Sequence, residues 1–295
     1  MFAQILVPLD GSPTAEKALP YARALGRALG IPVELLAVIE TAGDFATEKT
    51  RYLDTLIDDG VRNSREYLKR ISKTFSGAGV QCIVEKGRAE EVIITRAAAR
   101  QGTLIVMATH GRSGLNRWLL GSVAEKVVRG ANNAVLVIRA KEEAAAEGEA
   151  APDSIIVPLD GSALAESVLP STVELAKAFN LKVTLLRSYS LKQIIFSFEE
   201  YSPDLDELKG ELKWEAVSYL DEKVTELKSR GLVDVFCYVT EGDAAETIIE
   251  MAKGAPNSVI AMSTHSGSAI KHWVLGSVTE KVLRHANNPV MVIRT

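Results

Sequence analysis

Cysteine is scarce in this sequence. Its 295 residues include two cysteines, Cys82 and Cys237, which stand 155 positions apart in similar apolar segments. Neither has a second cysteine or a histidine nearby, so a zinc site of the Cys/His type is excluded. Matching positions in the middle of two apolar strands favour small core side chains, and we expect no disulfide or redox role for either thiol.

Clusters of basic residues and long apolar runs are also lacking. The formal net charge is −4 and no basic block occurs, which argues against nucleic acid as a partner. No run approaches the roughly 20 apolar residues of a membrane span. Residues 1–9 are apolar but stop at Asp10 without a basic flank, so we read no signal peptide and expect a cytoplasmic protein.

Glycine, by contrast, concentrates in residues 107–122. This stretch follows the apolar run 103–106 and leads into residues 123–129, where valines recur at helical spacing, so a strand ends here and a helix begins. Its small and polar residues are Gly111, Ser113, Gly114, Asn116, Gly121 and Ser122. Glycine lets a ligand approach the main chain, and free amides at a helix start favour phosphate. The pattern predicts a phosphate site, with a plain strand-to-helix turn as the alternative.

The same stretch recurs near the end of the chain. Residues 262–277 repeat 107–122 at an offset of 155, and residues 155–162 repeat 5–12 at an offset of 150. A composition of 47% hydrophobic and 24% charged residues is that of ordinary globular proteins. Length and repeat together predict two tandem domains, residues 1–140 and 153–295, joined by a solvated linker over 141–152.

Each repeat alternates apolar strands with helical segments. In the first, strands are predicted at 2–9, 33–39, 80–84, 103–107 and 134–138, with helices from Pro13, at 61–75, at 87–100 and at 123–129. Ser12 caps the first helix and Gly30 and Pro32 end it. Strands that are apolar on both sides belong to buried parallel sheets. The fold class is therefore α/β, with helices on both faces of each sheet.

These motifs resemble the universal stress protein family. The segment Ile-Leu-Val-Pro-Leu-Asp-Gly-Ser at 5–12 matches its N-terminal pattern, and residues 110–129 match its C-terminal one. The signature of the ATP-binding branch is glycine, two residues, glycine, nine residues, glycine and then serine or threonine. It falls on Ala108, Gly111, Gly121 and Ser122, so its first glycine is replaced. The resemblance implies two tandem doubly wound five-stranded parallel sheets with strand order 3-2-1-4-5.

The resemblance also implies a site for ATP, ADP or AMP in the first domain, with a divalent cation such as Mg²⁺. Asp10 and the main chain of Val38 would hold adenine and its sugar, beside Pro8. The implied site comprises Pro8, Asp10, Val38, Met107, Ala108, His110, Gly111, Arg112, Gly114, Gly121, Ser122, Val123 and Ala124. Asp10 either serves the ligand or caps the turn, and Arg112 either meets a phosphate or is solvated. His110 orients its loop, and no side chain is expected to ligate metal.

A second, degenerate site is expected in the other domain. Its residues are Pro158, Asp160, Ser188, Ser263, Ser266, Gly276, Ser277 and Val278. Serine replaces Gly111, Ala108 and Val38, and if the loop needs positive φ a serine there costs about 1–2 kcal/mol. We expect this site to be weak or empty.

The sequence favours binding over turnover. It has neither a Walker loop with Gly-Lys-Ser/Thr nor a Gly-x-Ser-x-Gly elbow, and ATP hydrolysis needs an activated water beside the phosphates. We expect a nucleotide-binding stress-response regulator without catalytic residues, acting on an unknown protein partner; a slow ATPase and a ligand-free scaffold are the alternatives. The resemblance implies an intramolecular pseudo-dimer through the apolar strands 134–138 and 289–293, and a homodimer of chains stays open.

Overall fold

The chain folds into two compact units, seen in a computed structural model that describes residues 1–40, 50–77, 79–109, 120–139, 148–191, 205–264 and 275–294. Unit 1 is built on Met1–Ala151, and unit 2 on Pro152–His265 and Leu275–Ile293. The two units repeat one order of strands and helices.

Unit 1 alternates strands with helices from its first residues. Its elements are β1 (Gln4–Pro8), α1 (Pro13–Glu16), α2 (Leu19–Leu29), β2 (Val33–Ile39), α3 (Thr50–Ser72), β3 (Val80–Lys86), α4 (Ala89–Ala98), β4 (Thr103–Ala108), α5 (Ser122–Gly130) and β5 (Ala134–Ile138). The sheet order is β3-β2-β1-β4-β5, and the paired strands run parallel. Every residue of β4 is buried, because helices cover both faces of a parallel sheet.

Unit 2 repeats this plan. Its elements are β6 (Ser154–Pro158), α6 (Ala163–Glu166), α7 (Leu169–Phe179), β7 (Lys182–Tyr189), α8 (Leu205–Ser229), β8 (Val235–Glu241), α9 (Ala244–Gly254), β9 (Ser258–Thr264), α10 (Ser277–His285) and β10 (Val290–Arg294). The order β8-β7-β6-β9-β10 matches that of unit 1. The predicted α/β class and strand order are confirmed in both units.

Strand register makes the units comparable residue by residue. Pro8 of β1 pairs with Leu36 of β2, and Pro158 of β6 pairs with Leu186 of β7. In the third strands, Val84 of β3 is in register with Ala37, which follows Leu36, and Val239 of β8 is in register with Arg187, which follows Leu186. Positions in the second strands therefore correspond at an offset of 150, as the repeat predicts.

The helices depart from the sequence prediction in two places. The first helix is split after Glu16, because Pro20 has no amide to donate and instead stands in the first turn of α2, a position that tolerates proline. The helix predicted from residue 61 begins at Thr50. Its first turns carry mostly polar residues, which hide the apolar stripe on which the prediction depended.

The two cysteines lie in mid-strand as predicted, but the prediction that both are core residues is wrong. Cys82 in β3 is partly exposed and Cys237 in β8 is exposed. Both strands stand at the outer end of their unit's order, where one side of the strand has no neighbour within that unit. The Cys237 thiol donates a hydrogen bond to the Asp221 carboxylate at 3.5 Å.

The second half of the predicted linker 141–152 is attached to unit 1. Arg23 donates to the main-chain oxygen of Gly148 at 2.7 Å, and the Ala150 amide donates to the Pro20 oxygen at 3.0 Å. The prediction of a wholly solvated linker is therefore wrong for Gly148 and Ala150. Within the described parts of the chain, no helix has both the length and the apolar character that crossing a bilayer requires.

Candidate functional site

A cavity of about 730 Å³ opens in unit 1 where the central strands end. Residues of β1, β2 and β4 and the loops that follow them form its floor, α3 and α4 form its walls, and the start of α5 closes one end. This is the switch point of an open parallel sheet, where ligands bind beyond the carboxyl ends of the strands. The volume lies in the range of small-molecule sites.

The predicted site residues gather at this cavity wherever the structure describes them. Those that line it are Pro8, Asp10, Val38, Met107, Ala108, Gly121, Ser122, Val123 and Ala124. The remaining four, His110, Gly111, Arg112 and Gly114, lie outside the described residues. Segments from three distant parts of the sequence thus meet in one place.

The turn after β1 is held by its own side chains. The Asp10 carboxylate accepts the Ser12 amide at 2.9 Å, and the Ser12 hydroxyl accepts the Ala15 amide at 3.1 Å, which caps α1. Gly11 between them has φ of 79°, a left-handed conformation that glycine adopts without strain. Asp10 therefore caps the turn, as one of the two interpretations expected, and also lines the cavity.

The start of α5 lines one end of the cavity. Gly121 precedes the helix with φ of −59°, and its amide donates to the Thr109 oxygen at 2.6 Å, which fixes the turn. Gly121 has no side chain with which to cap the helix, and no other side chain of the described residues is recorded as its cap. Because Ser122, Val123 and Ala124 line the cavity, the positive end of the helix dipole is directed at it. The negative φ of Gly121 also shows that the backbone conformation at this position does not require glycine.

Sequence reasoning missed the wall that α3 provides. Asn63, Ser64 and Tyr67 line the cavity, although no glycine motif marks them. The Tyr67 hydroxyl donates to the Glu16 carboxylate at 3.0 Å. Burial, followed by the nearby Glu16 charge, raises the pKa of Tyr67 well above its usual value, so the phenol stays protonated. The recurrence of Tyr-Leu in both repeats, at Tyr67 and Tyr219, was the available signal.

The strand ends of unit 2 keep the same turn. Asp160 accepts the Ser162 amide at 2.9 Å, and Ser162 caps α6. Gly276 precedes α10 with φ of −56°, and its amide donates to the Thr264 hydroxyl at 3.4 Å, a longer contact than the one in unit 1. The described members of the predicted second site occupy the same strands, turn and helix start as their counterparts in unit 1; they are Pro158, Asp160, Ser188, Ser263, Gly276, Ser277 and Val278.

Ser263 differs from its counterpart Ala108 in more than size. Its hydroxyl accepts a hydrogen bond from Ser167 at 2.9 Å and donates to the main-chain oxygen of Ala165 at 3.4 Å. These bonds hold the side chain against α6 and the turn after it. Ser266 lies outside the described residues. Among the residues that the structure does describe, no three histidine, cysteine, aspartate or glutamate side chains are grouped as metal ligands.

Comparisons with known proteins agree with this geometry. The model of the universal stress protein family matches residues 1–139 and again residues 152–294. A universal stress protein of Mycolicibacterium smegmatis is 23% identical over 301 residues, covering 98% of this chain and 96% of its own length. One from Methanocaldococcus jannaschii is 28% identical over 141 residues, covering 47% of this chain and 83% of its own.

A solved structure shares the fold over the whole length. The crystal structure of a universal stress protein from Archaeoglobus fulgidus has a TM-score of 0.73 at 20% identity, covering 99% of this chain and 98% of that one. At such identity the likeness establishes the fold alone. Since the family model matches both halves of the sequence, the chain belongs to the universal stress protein family.

Proposed function

We propose that unit 1 binds an adenine nucleotide, ATP above all, and that occupancy of the site regulates a stress response rather than driving turnover. One observation carries the proposal: the same cavity joins apolar strand ends to a helix start that no side chain of the described residues caps. Such a cavity suits a ligand with a flat apolar end and an anionic end.

The strand side of the cavity fits the base. Leu36 and Val38 of β2 and Pro8 of β1 offer apolar surface, and the polar Asn63 stands on the α3 wall. Adenine would lie against this surface. The Val38 main chain would bind the edge of the ring and Asp10 the sugar, because both residues belong to the same lining. Each of these assignments is an expectation that a ligand-bound structure would test.

The helix side fits the phosphates. Ser122, Val123 and Ala124 contribute the first amides of α5, and the Ser122 hydroxyl adds a further donor. A bound Mg²⁺ would keep most of its water and rest on the phosphates, as this ion commonly does. Such an ion needs few protein ligands. Two carboxylates of the described lining are available to it, those of Asp10 after β1 and Glu40 after β2.

The same placement supports binding over hydrolysis. Asp10 and Glu40 belong to the ends of β1 and β2, whereas the amides for phosphate belong to α5 after β4. A general base must reach the attacking water beside the terminal phosphate. Within the described lining, no carboxylate belongs to the segment that leads from β4 into α5.

Calorimetric titration of the intact chain with ATP, ADP, AMP and adenosine tests the proposal. We expect one tight ATP per chain, weaker binding as phosphates are removed, and no phosphate release over the hours of the titration. Nucleotide retained on purification and identified by mass spectrometry gives an independent check. Failure of all four ligands to bind would exclude the nucleotide function.

The domain arrangement adds three proposals. Limited proteolysis would test the boundaries 1–140 and 153–295, with cleavage expected in 141–147, before the attached residues Gly148 and Ala150.

Pairing of the final strands in an intramolecular pseudo-dimer would be tested by disulfide trapping between cysteines introduced into 134–138 and 289–293. Light scattering would reveal a homodimer. The cytoplasmic location and the unknown protein partner stay predictions.

A further inference from the structure

Arg187 distinguishes the second strands of the two units. Strand register places it at the position of Ala37, directly after the leucine that pairs with the proline of the first strand. Ala37 lines the cavity of unit 1. A long charged side chain therefore replaces a methyl group at a position that faces the ligand cavity in the other unit.

Two contacts hold the Arg187 side chain over the strand ends, and Gly161 leaves the space beside it open. Its guanidinium donates to the Glu215 carboxylate at 3.0 Å and lies 4.9 Å from the ring centroid of Tyr219. Its nitrogens come within 3.5 and 3.6 Å of the place that a Cβ on Gly161 would take. The side chain is 17% exposed, so most of it is removed from water.

Each of the three residues beside Arg187 has a counterpart that lines the unit 1 cavity. Gly161 corresponds to Gly11 in the repeated turn, and Tyr219 corresponds to Tyr67, since each tyrosine donates to the glutamate that ends the short first helix of its unit. Glu215, one helical turn before Tyr219, corresponds to Asn63. The counterparts Gly11, Asn63 and Tyr67 all line the cavity.

We propose that Arg187 closes the second nucleotide site by occupying the volume in which unit 1 leaves room for the base. Ala37 and Arg187 are the residues that decide which unit takes the ligand. The ligand class rests on the proposed function of unit 1. To admit adenine, unit 2 has to remove a guanidinium from the Tyr219 ring and from Glu215, and both contacts favour the closed form.

The opposite role for Arg187 is a clear alternative. A guanidinium is a good phosphate ligand, so the side chain would then turn toward an anion and strengthen binding in unit 2. The two roles predict opposite effects when the side chain is shortened. Glu215 favours the closing role, because a carboxylate already pairs with the guanidinium and would itself repel phosphate.

Photolabelling of the full chain with 8-azido-ATP, followed by mass-spectrometric mapping, reads the two units separately. In the wild type we expect label in unit 1. Arg187→Ala should raise unit 2 labelling by about tenfold or more, as for the loss of one or two favourable contacts, and leave unit 1 unchanged. Arg187→Met keeps most of the bulk but loses both charge-dependent contacts, so it should open unit 2 less than Arg187→Ala does.

The reciprocal exchange in unit 1 should have the opposite effect. Ala37→Arg should remove the unit 1 label, whereas Ala37→Ser, a small control, should keep it. Circular dichroism checks that each variant is folded. Unchanged or reduced unit 2 labelling in Arg187→Ala would overturn the proposal, and so would equal opening by Arg187→Met, because the volume argument would then fail.

The test separates this inference from the nucleotide function. If neither unit takes the label in any variant, the proposed ligand is wrong, and a crystal structure of Arg187→Ala decides the inference. An open cavity bounded by Gly161, Ser188 and Tyr219 supports closure by Arg187. Collapse of the neighbouring side chains into the same volume overturns it.

Discussion

Units 1 and 2 keep the same turns after the first strand, but the arginine beside the second strand comes from a different element in each. In unit 1, Arg96 of α4 reaches Glu34 of β2 with hydrogen bonds of 2.5 and 3.1 Å and Glu85 of β3 with one of 2.6 Å. In unit 2, Arg187 belongs to the second strand itself and extends to Tyr219 of α8. Glu34 and the position equivalent to Arg187 are three residues apart in the repeat, so the two ion pairs lie on opposite faces of the second strand.

The difference shows how two repeats of one fold can diverge in their side chains while keeping the same strands and helices. Register places Thr184 and Thr240 of unit 2 at the positions of Glu34 and Glu85, and the helix repeat places Met251 at the position of Arg96. The turns and the helix starts after the strands are retained. These charge changes lie in the second and third strands and in a helix packed on them, whereas Ser263 changes the end of the fourth strand.

The largest expected effect comes from breaking the ion pair of unit 1. Arg96→Met leaves the Glu34 carboxylate, whose side chain is 9% exposed, without its bidentate partner. Leaving one charge of a mostly buried pair unpaired costs about 3–5 kcal/mol. We expect a loss of that size in the free energy of unfolding of unit 1, measured by urea denaturation with hydrogen exchange of β2 amides.

A matched control converts the pair to the residues of unit 2. Glu34→Thr combined with Arg96→Met removes both charges, as Thr184 and Met251 do in the other repeat. Most of the lost stability should return, since the buried carboxylate of Glu34 is gone and the Glu85 carboxylate, which also loses Arg96, is 35% exposed. A single Arg96→Met variant that loses less than about 1 kcal/mol would show that the buried charge is hydrated or re-paired.

A smaller effect is expected at the helix starts. Ser122→Ala removes a hydroxyl that lines the unit 1 cavity, and loss of a hydrogen bond to a charged phosphate costs about 1.5–3 kcal/mol. ATP affinity should fall roughly tenfold to a hundredfold by calorimetry. The matched Ser277→Ala in unit 2 should leave ATP binding unchanged. Equal effects of the two variants would contradict the assignment of the ligand to unit 1.

The third prediction concerns the short first helices. In unit 2, Glu166 accepts hydrogen bonds from Tyr219 at 2.9 Å and from Lys223 at 2.7 Å, whereas the buried Ile71 stands at the lysine position in unit 1. Glu166→Gln should lower the stability of unit 2 by about 1–2 kcal/mol at pH 7, as expected for charge-assisted hydrogen bonds. The matched Glu16→Gln, which affects the bond from Tyr67, should cost less.

The cost of Glu166→Gln should also depend on pH. Burial acts to raise the pKa of Glu166, but hydrogen bonds from Lys223 and Tyr219 outweigh it and hold the pKa below its usual value. The stabilisation is then fully present above the unfolded-state pKa of about 4.3 and is lost as the pH falls through the folded pKa. Thermal unfolding at pH 7 and pH 3 measures this, and a cost that does not shrink at pH 3 would contradict it.

The sequence predicts the sheet better than the helices that face it. Val33–Ile39 and Ala134–Ile138 match their predicted ranges residue for residue, because a run that is apolar on both faces has clear ends at glycine, proline or polar residues. The start of α3 was missed by eleven residues, because an amphipathic helix that faces solvent carries a weaker pattern than a buried strand.

The candidate site divides in the same way. Asp10 and Ser122 follow strands and belong to short local motifs, so they could be predicted. Tyr67 reaches the cavity from a helix that is distant in sequence, and nothing local marks it. The role of Arg187 depends on where Tyr219 and Gly161 lie in space, and those contacts exist only after the sheet and α8 have packed.

The smallest effect is expected on the alkylation rates of the two cysteines. The exposed Cys237 thiol donates to Asp221 at 3.5 Å, and burial, then that hydrogen bond and the aspartate charge, raise the pKa of the thiol. The equivalent helix position in unit 1 is Lys69, so the acidic partner belongs to unit 2 alone. Because only the thiolate attacks iodoacetamide, Asp221→Asn should lower the pKa of Cys237 and speed its alkylation at pH 8 modestly. Cys82 is the internal control, and its rate should not change. An unchanged rate at Cys237 would show that Asp221 does not control the thiol and that exposure alone distinguishes the two edge strands.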